Sequence, residues 1–94
     1  MRNEFVDKVI HEGELPGGGR FWEVECIKSP RSLEKVIVPL KKDSVFFFNT
    51  QGMHVSTMSR ENFLENVWVQ DEINYFFSPF TTQKIINYVK GIMN

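Results

Sequence analysis

The sequence predicts a small α+β domain that is mainly β. We expect a five-stranded antiparallel barrel or a strongly bent antiparallel sheet, with a short N-terminal helix and a C-terminal amphipathic helix. The 94 residues contain no Ala but nine Phe, seven Ile and ten Val, so the best helix former is absent and residues favoured in strands are abundant. Three segments alternate apolar and polar residues, and the last segment has helical spacing. The length fits one domain spanning 1–94.

The N-terminal helix is predicted over residues 3–12. Its apolar positions have the spacing of one stripe on a short helix. They are Phe5, Val6, Val9 and Ile10. A Gly-rich stretch over 13–20 then breaks all periodicity, and we expect a flexible loop there.

The β core is predicted over residues 21–70. Its strands run from Phe21 to Lys28, Lys35 to Lys41, Val45 to Phe48, Met53 to Met58 and Val67 to Gln70. Inward-facing positions in the first two are Trp22, Val24, Cys26, Val36, Val38 and Leu40. Pro39 lacks an N–H, so its side of the strand should be an edge or carry a bulge. Ser59 caps one helical turn over 59–66. Five strands in a meander with a helical turn before the fifth is the order of an SH3-like small barrel.

The remaining segment, 71–94, combines an aromatic stretch with a helix. Residues 71–80 have neither helix nor strand period and are unusually apolar for a connection. From Thr81 onward a helical stripe returns, with Ser78 or Thr81 as its cap and Pro79 at its entrance.

Three short motifs resemble a family of small uncharacterised SH3-like bacterial and phage domains. They are Phe21-Trp22-Glu23-Val24, Ser32-Leu33-Glu34-Lys35-Val36-Ile37-Val38 and Phe63-Leu64-Glu65-Asn66-Val67. The resemblance covers about residues 19–67 and implies a fold more than an activity. This chain departs from the family pattern at Pro39, where the family has Tyr. It also departs over 54–57, where the family has Trp-Val-Arg-Pro.

Charge, cysteine content and residue bias define the setting in which we expect the protein to act. Eleven Lys and Arg against twelve Asp and Glu give a net charge of -1, which creates no field attracting nucleic acid. A single cysteine, Cys26, excludes an internal disulfide and favours the cytoplasm. No run is apolar enough for a membrane span or a signal peptide. Abundant Asn and Lys with few Arg suggest A/T-rich codons, as in a low-GC bacterium, a phage or a mobile element.

The sequence provides no catalytic or metal-binding constellation. Cys26 and His54 are predicted on an apolar and a polar strand face, so a nucleophile and base pair is not expected. Glu23 and Glu25 alternate as any polar face does, and the glycines at 17–19 lack the Lys and Ser or Thr of a phosphate loop. We therefore expect a non-enzymatic protein with no cofactor.

Surplus aromatic residues point to a protein partner. They exceed what one inner face can hold, and exposed apolar patches usually mark interfaces. The predicted partner-binding residues are Phe46, Phe48, Tyr75, Phe76 and Phe80. The hypothesis is a phage or mobile-element protein that binds and inhibits a host defence or regulatory factor in the host cytoplasm.

Two alternatives stay open at this point. The first is an oligomeric protein that sequesters a nucleotide-like molecule, stacking it on Trp22 or Trp68. Its phosphate ligands would be Arg20, Arg31 or Arg60. The second is single-stranded nucleic-acid binding through a basic cluster beside Phe46 or Phe48. That cluster comprises Lys28, Arg31, Lys35, Lys41 and Lys42.

Overall fold

The described part of the chain forms an open five-stranded sheet with three helices on one of its faces. The computed structural model describes residues 8–26, 29–48 and 54–93, and the side chains of 9–25, 35–48 and 55–93. The strands are β1 Lys8–Glu14, β2 Gly19–Cys26, β3 Ser29–Pro39, β4 Ser44–Phe48 and β5 His54–Ser59. The helices are α1 Arg60–Glu65, α2 Val67–Phe76 and α3 Pro79–Met93. The predicted class, a small and mainly β α+β fold, is confirmed.

Each strand pairs with its neighbour in the chain, in the order β1-β2-β3-β4-β5, and every pair is antiparallel. In the described residues β1 does not pair with β5, so the sheet is open and not a closed barrel. Pro39 is the last residue of β3 and lies beyond the last β3–β4 pair, Ile37 with Phe46. Its missing N–H therefore interrupts no β3–β4 hydrogen bond.

The predicted N-terminal helix over 3–12 is wrong where the structure describes it, because Lys8–Glu14 is a strand. β1 pairs with β2 along all seven of its residues. Ile10 packs against the core, and the exposed Glu12 lies on the same face of β1, so an acid replaces an apolar residue in the strand alternation. Glu12 is held there by Arg20 at 3.0 Å and by Lys84 at 3.1 Å. The hydrogen bond from Lys84, reinforced by Arg20, holds the pKa of Glu12 below its ordinary value. Residues 3–7 lie outside the described residues.

The predicted flexible loop over 13–20 is instead a tight hairpin turn. The Gly18 N–H donates to the Leu15 carbonyl at 3.0 Å, and the Leu15 N–H donates to the Gly19 carbonyl at 2.9 Å. Pro16 and Gly17 occupy the two central positions, and Gly17 has a φ of 88°, as a type II turn requires. The positive φ of Gly17 thus allows the tight turn that places β1 next to β2.

Two further segments that lacked a predicted helix form α2. Val67–Gln70, predicted as the fifth strand, is its first turn, and most of the aperiodic stretch 71–80 continues it. The Asn66 side chain caps this helix by accepting from the Val69 N–H at 3.2 Å. The prediction of α1 is confirmed, with the Ser59 hydroxyl accepting from the Asn62 N–H at 3.0 Å. The C-terminal helix is also confirmed, and Ser78 is its cap, accepting from the Thr81 N–H at 3.0 Å.

The core lies between the helices and one face of the sheet. Its sheet residues are Trp22, Val24, Val36, Val38 and Val45, and its helix residues are Phe63, Ile73, Phe77, Ile85 and Val89. Of the predicted inward positions, Leu40 is wrong because it lies exposed in the β3–β4 turn, and the side chain of Cys26 lies outside the described residues. The helix α3 lies over β1 and β2, since Tyr88 packs edge-on against Trp22 and Lys84 reaches Glu12.

Gly19 provides a test of the hairpin geometry. An added Cβ would clash with the Val38 carbonyl oxygen and lie 2.8 Å from the Pro39 Cα, both of them backbone atoms. Gly17 also has positive φ, but its Cβ would meet nothing closer than 3.8 Å. We expect Gly19→Ala to lower the free energy of unfolding by about 2 kcal/mol more than Gly17→Ala. Urea unfolding of both variants measures this difference, and equal losses would contradict the close approach of β2 to β3.

Candidate functional site

A cavity separates α2 from one end of the sheet. Its volume is about 270 Å³, and it opens between α2 and the strands β3, β4 and β5. The apolar lining consists of Val36, Phe47, Phe48, Val55, Met58, Val69, Ile73, Phe76 and Phe77, and the polar lining of Lys35, Ser56 and Glu72. Phe47 and Phe48 both line the cavity, and between their partners Ser56 and His54 the β5 strand has one extra residue, Val55, which also lines it. The site is therefore an apolar recess with charge at its margin.

Two exposed aromatic side chains project from α2, the helix that forms one wall of this cavity. Trp68 is 87% exposed and Tyr75 is 57% exposed. They are seven residues apart, which places them on one side of the helix about 10 Å apart along its axis. The Tyr75 ring lies 5.1 Å from the Phe76 ring in an edge-on contact, and Phe76 lines the cavity. Trp68, Glu72, Tyr75, Phe76 and Phe48 are called the α2 aromatic surface below.

The surroundings of the α2 aromatic surface are acidic. From residue 61 to residue 83 the chain has four acidic residues and no Lys, Arg or His. All four are exposed: Glu61, Glu65, Asp71 and Glu72. Within the described residues none of these carboxylates forms an ion pair. The negative potential of this surface is thus unneutralised there.

Hydrogen bonds fix the N-terminal end of α2 to α1 and complete the helix at its C-terminal end. Besides the Asn66 cap, the Gln70 amide donates to the Phe63 carbonyl at 2.9 Å and to the Leu64 carbonyl at 3.1 Å, satisfying the end of α1. At the other end the Phe77 N–H donates to the Ile73 carbonyl at 2.7 Å. These bonds hold the helix that carries Trp68 and Tyr75 in a defined position.

The structure brings together three of the five predicted partner-binding residues. Phe48, Tyr75 and Phe76 meet at the cavity, as described above. Phe46 pairs with Ile37 and points to the opposite face of the sheet, because it alternates with the buried Val45. Phe80 is 72% exposed at the start of α3, where Lys84 lies 5.3 Å above its ring and also reaches β1. The predicted set is therefore divided among three surfaces.

Most of the residues predicted to hold a nucleotide-like ligand form contacts that stabilise the fold instead. The stacking role of Trp22 is wrong, because the ring is 1% exposed and packed against Tyr88. Arg20 lies 5.9 Å above the Trp22 ring and is paired with Glu12. Trp68 is exposed, but Arg20 is paired with Glu12 and Arg60 is bonded to the β3–β4 turn. The side chain of Arg31 lies outside the described residues.

Arg60 holds the turn between β3 and β4. Its Nη2 donates to the carbonyls of Pro39, Leu40 and Lys42 at 2.8, 3.2 and 2.9 Å. Its buried Nε lies 3.8 Å from the Asp43 carboxylate, an ion pair without a hydrogen bond. The predicted phosphate-binding role of Arg60 is wrong, because its guanidinium is buried against backbone oxygens.

The described members of the predicted basic cluster do not converge on one surface. Lys35 lies 5.4 Å above the Phe21 ring and 3.9 Å from a Glu23 carboxylate oxygen. Lys41 and Lys42 are exposed in the turn at the other end of β3. Lys28 lies outside the described residues, as does the side chain of Arg31. The arrangement offers no continuous track for a phosphate backbone within the described residues.

Sequence reasoning missed Glu72, a member of the α2 aromatic surface, and Asp71, the exposed acid that precedes it in α2. Their signal was present, because a stretch from 61 to 83 without a basic residue can be found by inspection. The meaning of this acidic stretch is hidden as long as 71–80 is interpreted as aperiodic, because the acids then have no helix to lie on. Val69, Ile73, Phe76 and Phe77 do have helical spacing once Asn66 is taken as the cap.

The comparisons with known proteins identify no relative of this chain. No family model, curated protein or solved structure matches it. Within the described side chains, no three His, Cys, Asp or Glu residues lie close enough together to hold a metal ion. None of the described helices combines the length and hydropathy needed to cross a membrane.

We expect Arg60→Ala to destabilise the fold strongly, since it removes three hydrogen bonds from the β3–β4 turn. The loss should be about 2–4 kcal/mol in the free energy of unfolding. Arg20→Ala is the matched control, since Arg20 forms a partly exposed ion pair with Glu12 and its removal should cost less than about 1 kcal/mol. Urea unfolding followed by circular dichroism measures both. Equal effects would show that Arg60 does not hold the turn.

We also expect the fluorescence of Trp68 to report the acidic surroundings. Trp22 is buried, so ionic quenchers reach Trp68 alone. The carboxylates of Asp71 and Glu72 attract caesium ions and repel iodide ions. The double substitution Asp71→Asn and Glu72→Gln should therefore weaken quenching by caesium and strengthen quenching by iodide. The pair Glu61→Gln and Glu65→Gln changes the net charge equally and should have a smaller effect on both. Unchanged quenching in the first variant would contradict a local field at Trp68.

Proposed function

We propose that this chain is a non-enzymatic protein-binding module that contacts its partner through the α2 aromatic surface. The observation that carries the proposal is the 87% exposure of Trp68 on α2, the helix whose Glu72, one turn further on, lines an open apolar cavity. Trp and Tyr are enriched among residues that dominate binding energy, and such residues commonly pair with a pocket. An exposed Trp side chain contributes little hydrophobic free energy to the folding of the chain itself. Burial of that side chain by a partner would provide this free energy and accounts for its exposed position.

The partner in this proposal is a bacterial protein. The residue bias typical of A/T-rich codons favours a phage or mobile element as the source of the chain. In this proposal the chain acts in the host cytoplasm and inhibits a host defence or regulatory factor by covering its surface. The exposure of Trp68 and Tyr75 on one side of α2 supports a binding role.

A displayed library of bacterial protein fragments tests the proposal directly. Selection on the immobilised chain should enrich fragments whose affinity falls at least about tenfold on the double substitution Trp68→Ala and Tyr75→Ala. Phe80→Ala is the matched control, since it removes an equally exposed aromatic ring outside the cavity margin and should leave affinity within about twofold.

Two outcomes would overturn the proposal. One is that selection enriches no fragment. The other is that the enriched fragments bind the Trp68→Ala and Tyr75→Ala variant as well as the parent. Circular dichroism spectra and urea midpoints of the variants must match the parent, which is expected because both side chains lie largely in solvent.

A further inference from the structure

The cavity has room for a side chain from another molecule. A cavity of about 150 Å³ lined by aliphatic and aromatic side chains can hold a benzene molecule. The cavity beside α2, at about 270 Å³, is larger than this and is mostly lined by Phe, Val, Ile and Met. An apolar side chain the size of Leu or Phe thus fits the space and the chemistry of its walls.

Glu72 connects the cavity to the exposed aromatic residues. It lines the cavity, and it lies four residues after Trp68 and three before Tyr75 on α2. Residues at these spacings are neighbours on a helix surface. A group entering the cavity therefore passes a carboxylate and two aromatic rings together.

This combination favours a cation at the margin of the cavity. Aromatic faces attract Arg and Lys, with Trp the strongest, and an adjacent carboxylate adds an ion pair. Asp71 is also exposed on the same helix, and no described cation forms an ion pair with either acid. Lys35, on the sheet side of the cavity, lies 3.9 Å from a Glu23 carboxylate oxygen instead. An acidic or neutral apolar partner would bury these carboxylates without compensation, which is costly.

We propose that the α2 aromatic surface recognises a basic segment of a partner protein, with one apolar anchor residue in the cavity and Lys or Arg residues against Glu72, Asp71 and Trp68. This inference rests on the proposed function and adds the chemistry of the partner. Charge complementarity selects this occupant over a second copy of the chain, since two copies of the same acidic surface would repel each other.

Two synthetic peptides without Trp test the inference. One carries a central Phe flanked by Lys and Arg residues, and the other has Glu at each of those basic positions. Fluorescence anisotropy of labelled peptides against the full chain should show at least about tenfold tighter binding of the basic peptide at low salt. Raising the ionic strength from about 50 to about 300 mM should weaken that binding.

Matched variants locate the interaction. The substitutions Asp71→Asn and Glu72→Gln together should weaken binding of the basic peptide about fivefold, and Trp68→Ala should weaken it about tenfold. Glu61→Gln with Glu65→Gln makes the same change in net charge on α1 and should alter binding less than about twofold. Equal weakening by both charge pairs would overturn the inference, because the peptide would then sense only the net charge.

The remaining outcomes separate this inference from the proposed function. Equal binding of the acidic and basic peptides, or no binding of either, overturns the basic partner. If library fragments still depend on Trp68 in that case, the protein-binding function stands with a partner of other chemistry. If neither fragments nor peptides depend on Trp68, both proposals fail. Concentration-dependent dimerisation abolished by Trp68→Ala would replace the basic partner with a second copy.

Discussion

The structure depends on burying one face of an open sheet. Trp22, Val24, Val36, Val38 and Val45 all face the same side, and only the helices that follow the sheet can cover them among the described elements. The longest helix, α3, covers the β1 and β2 half through Tyr88 and Lys84. The shorter α2 spans the rest, where it meets the sheet through long side chains and leaves the cavity between them. The cavity is thus a consequence of how a short helical layer covers a five-stranded sheet.

The junction between the sheet and the helices is a polar one. Arg60 begins α1, directly after β5, and its guanidinium binds three carbonyls of the β3–β4 turn. Backbone oxygens in a buried turn need donors, and a guanidinium can bond several from one position. The same helix places Phe63 in the core, 6.2 Å from Phe47. Arg60 therefore fixes where α1 starts relative to the sheet, and α2 follows from α1 after a single residue, Asn66.

The sequence predicted the class of the fold better than its parts. It indicated five strands, but one of them, Val67–Gln70, is helical, and the true first strand was predicted as a helix. In β1 Glu12 breaks the alternation of apolar residues, and its partner Lys84 is distant in the sequence. At the start of α2 the Val-Trp-Val stretch has the alternation that is typical of a strand. The Asn66 cap and the core contacts of Ile73 stabilise a helix there instead. Both errors arise where contacts distant in sequence outweigh local preference.

The candidate site was predictable in chemistry but not in position. Aromatic excess indicated an interface, yet only the folded structure shows that Phe48 lines the cavity whereas Phe46, two residues earlier in β4, does not. The same structure explains why the site suits binding. Trp68 and Tyr75 stand on a helix capped by Asn66 and tied to α1 by Gln70, so their backbone is ordered before any partner arrives. Such preorganisation reduces the entropy lost on association. The α2 aromatic surface can therefore support specific binding although only two of its aromatic side chains are strongly exposed.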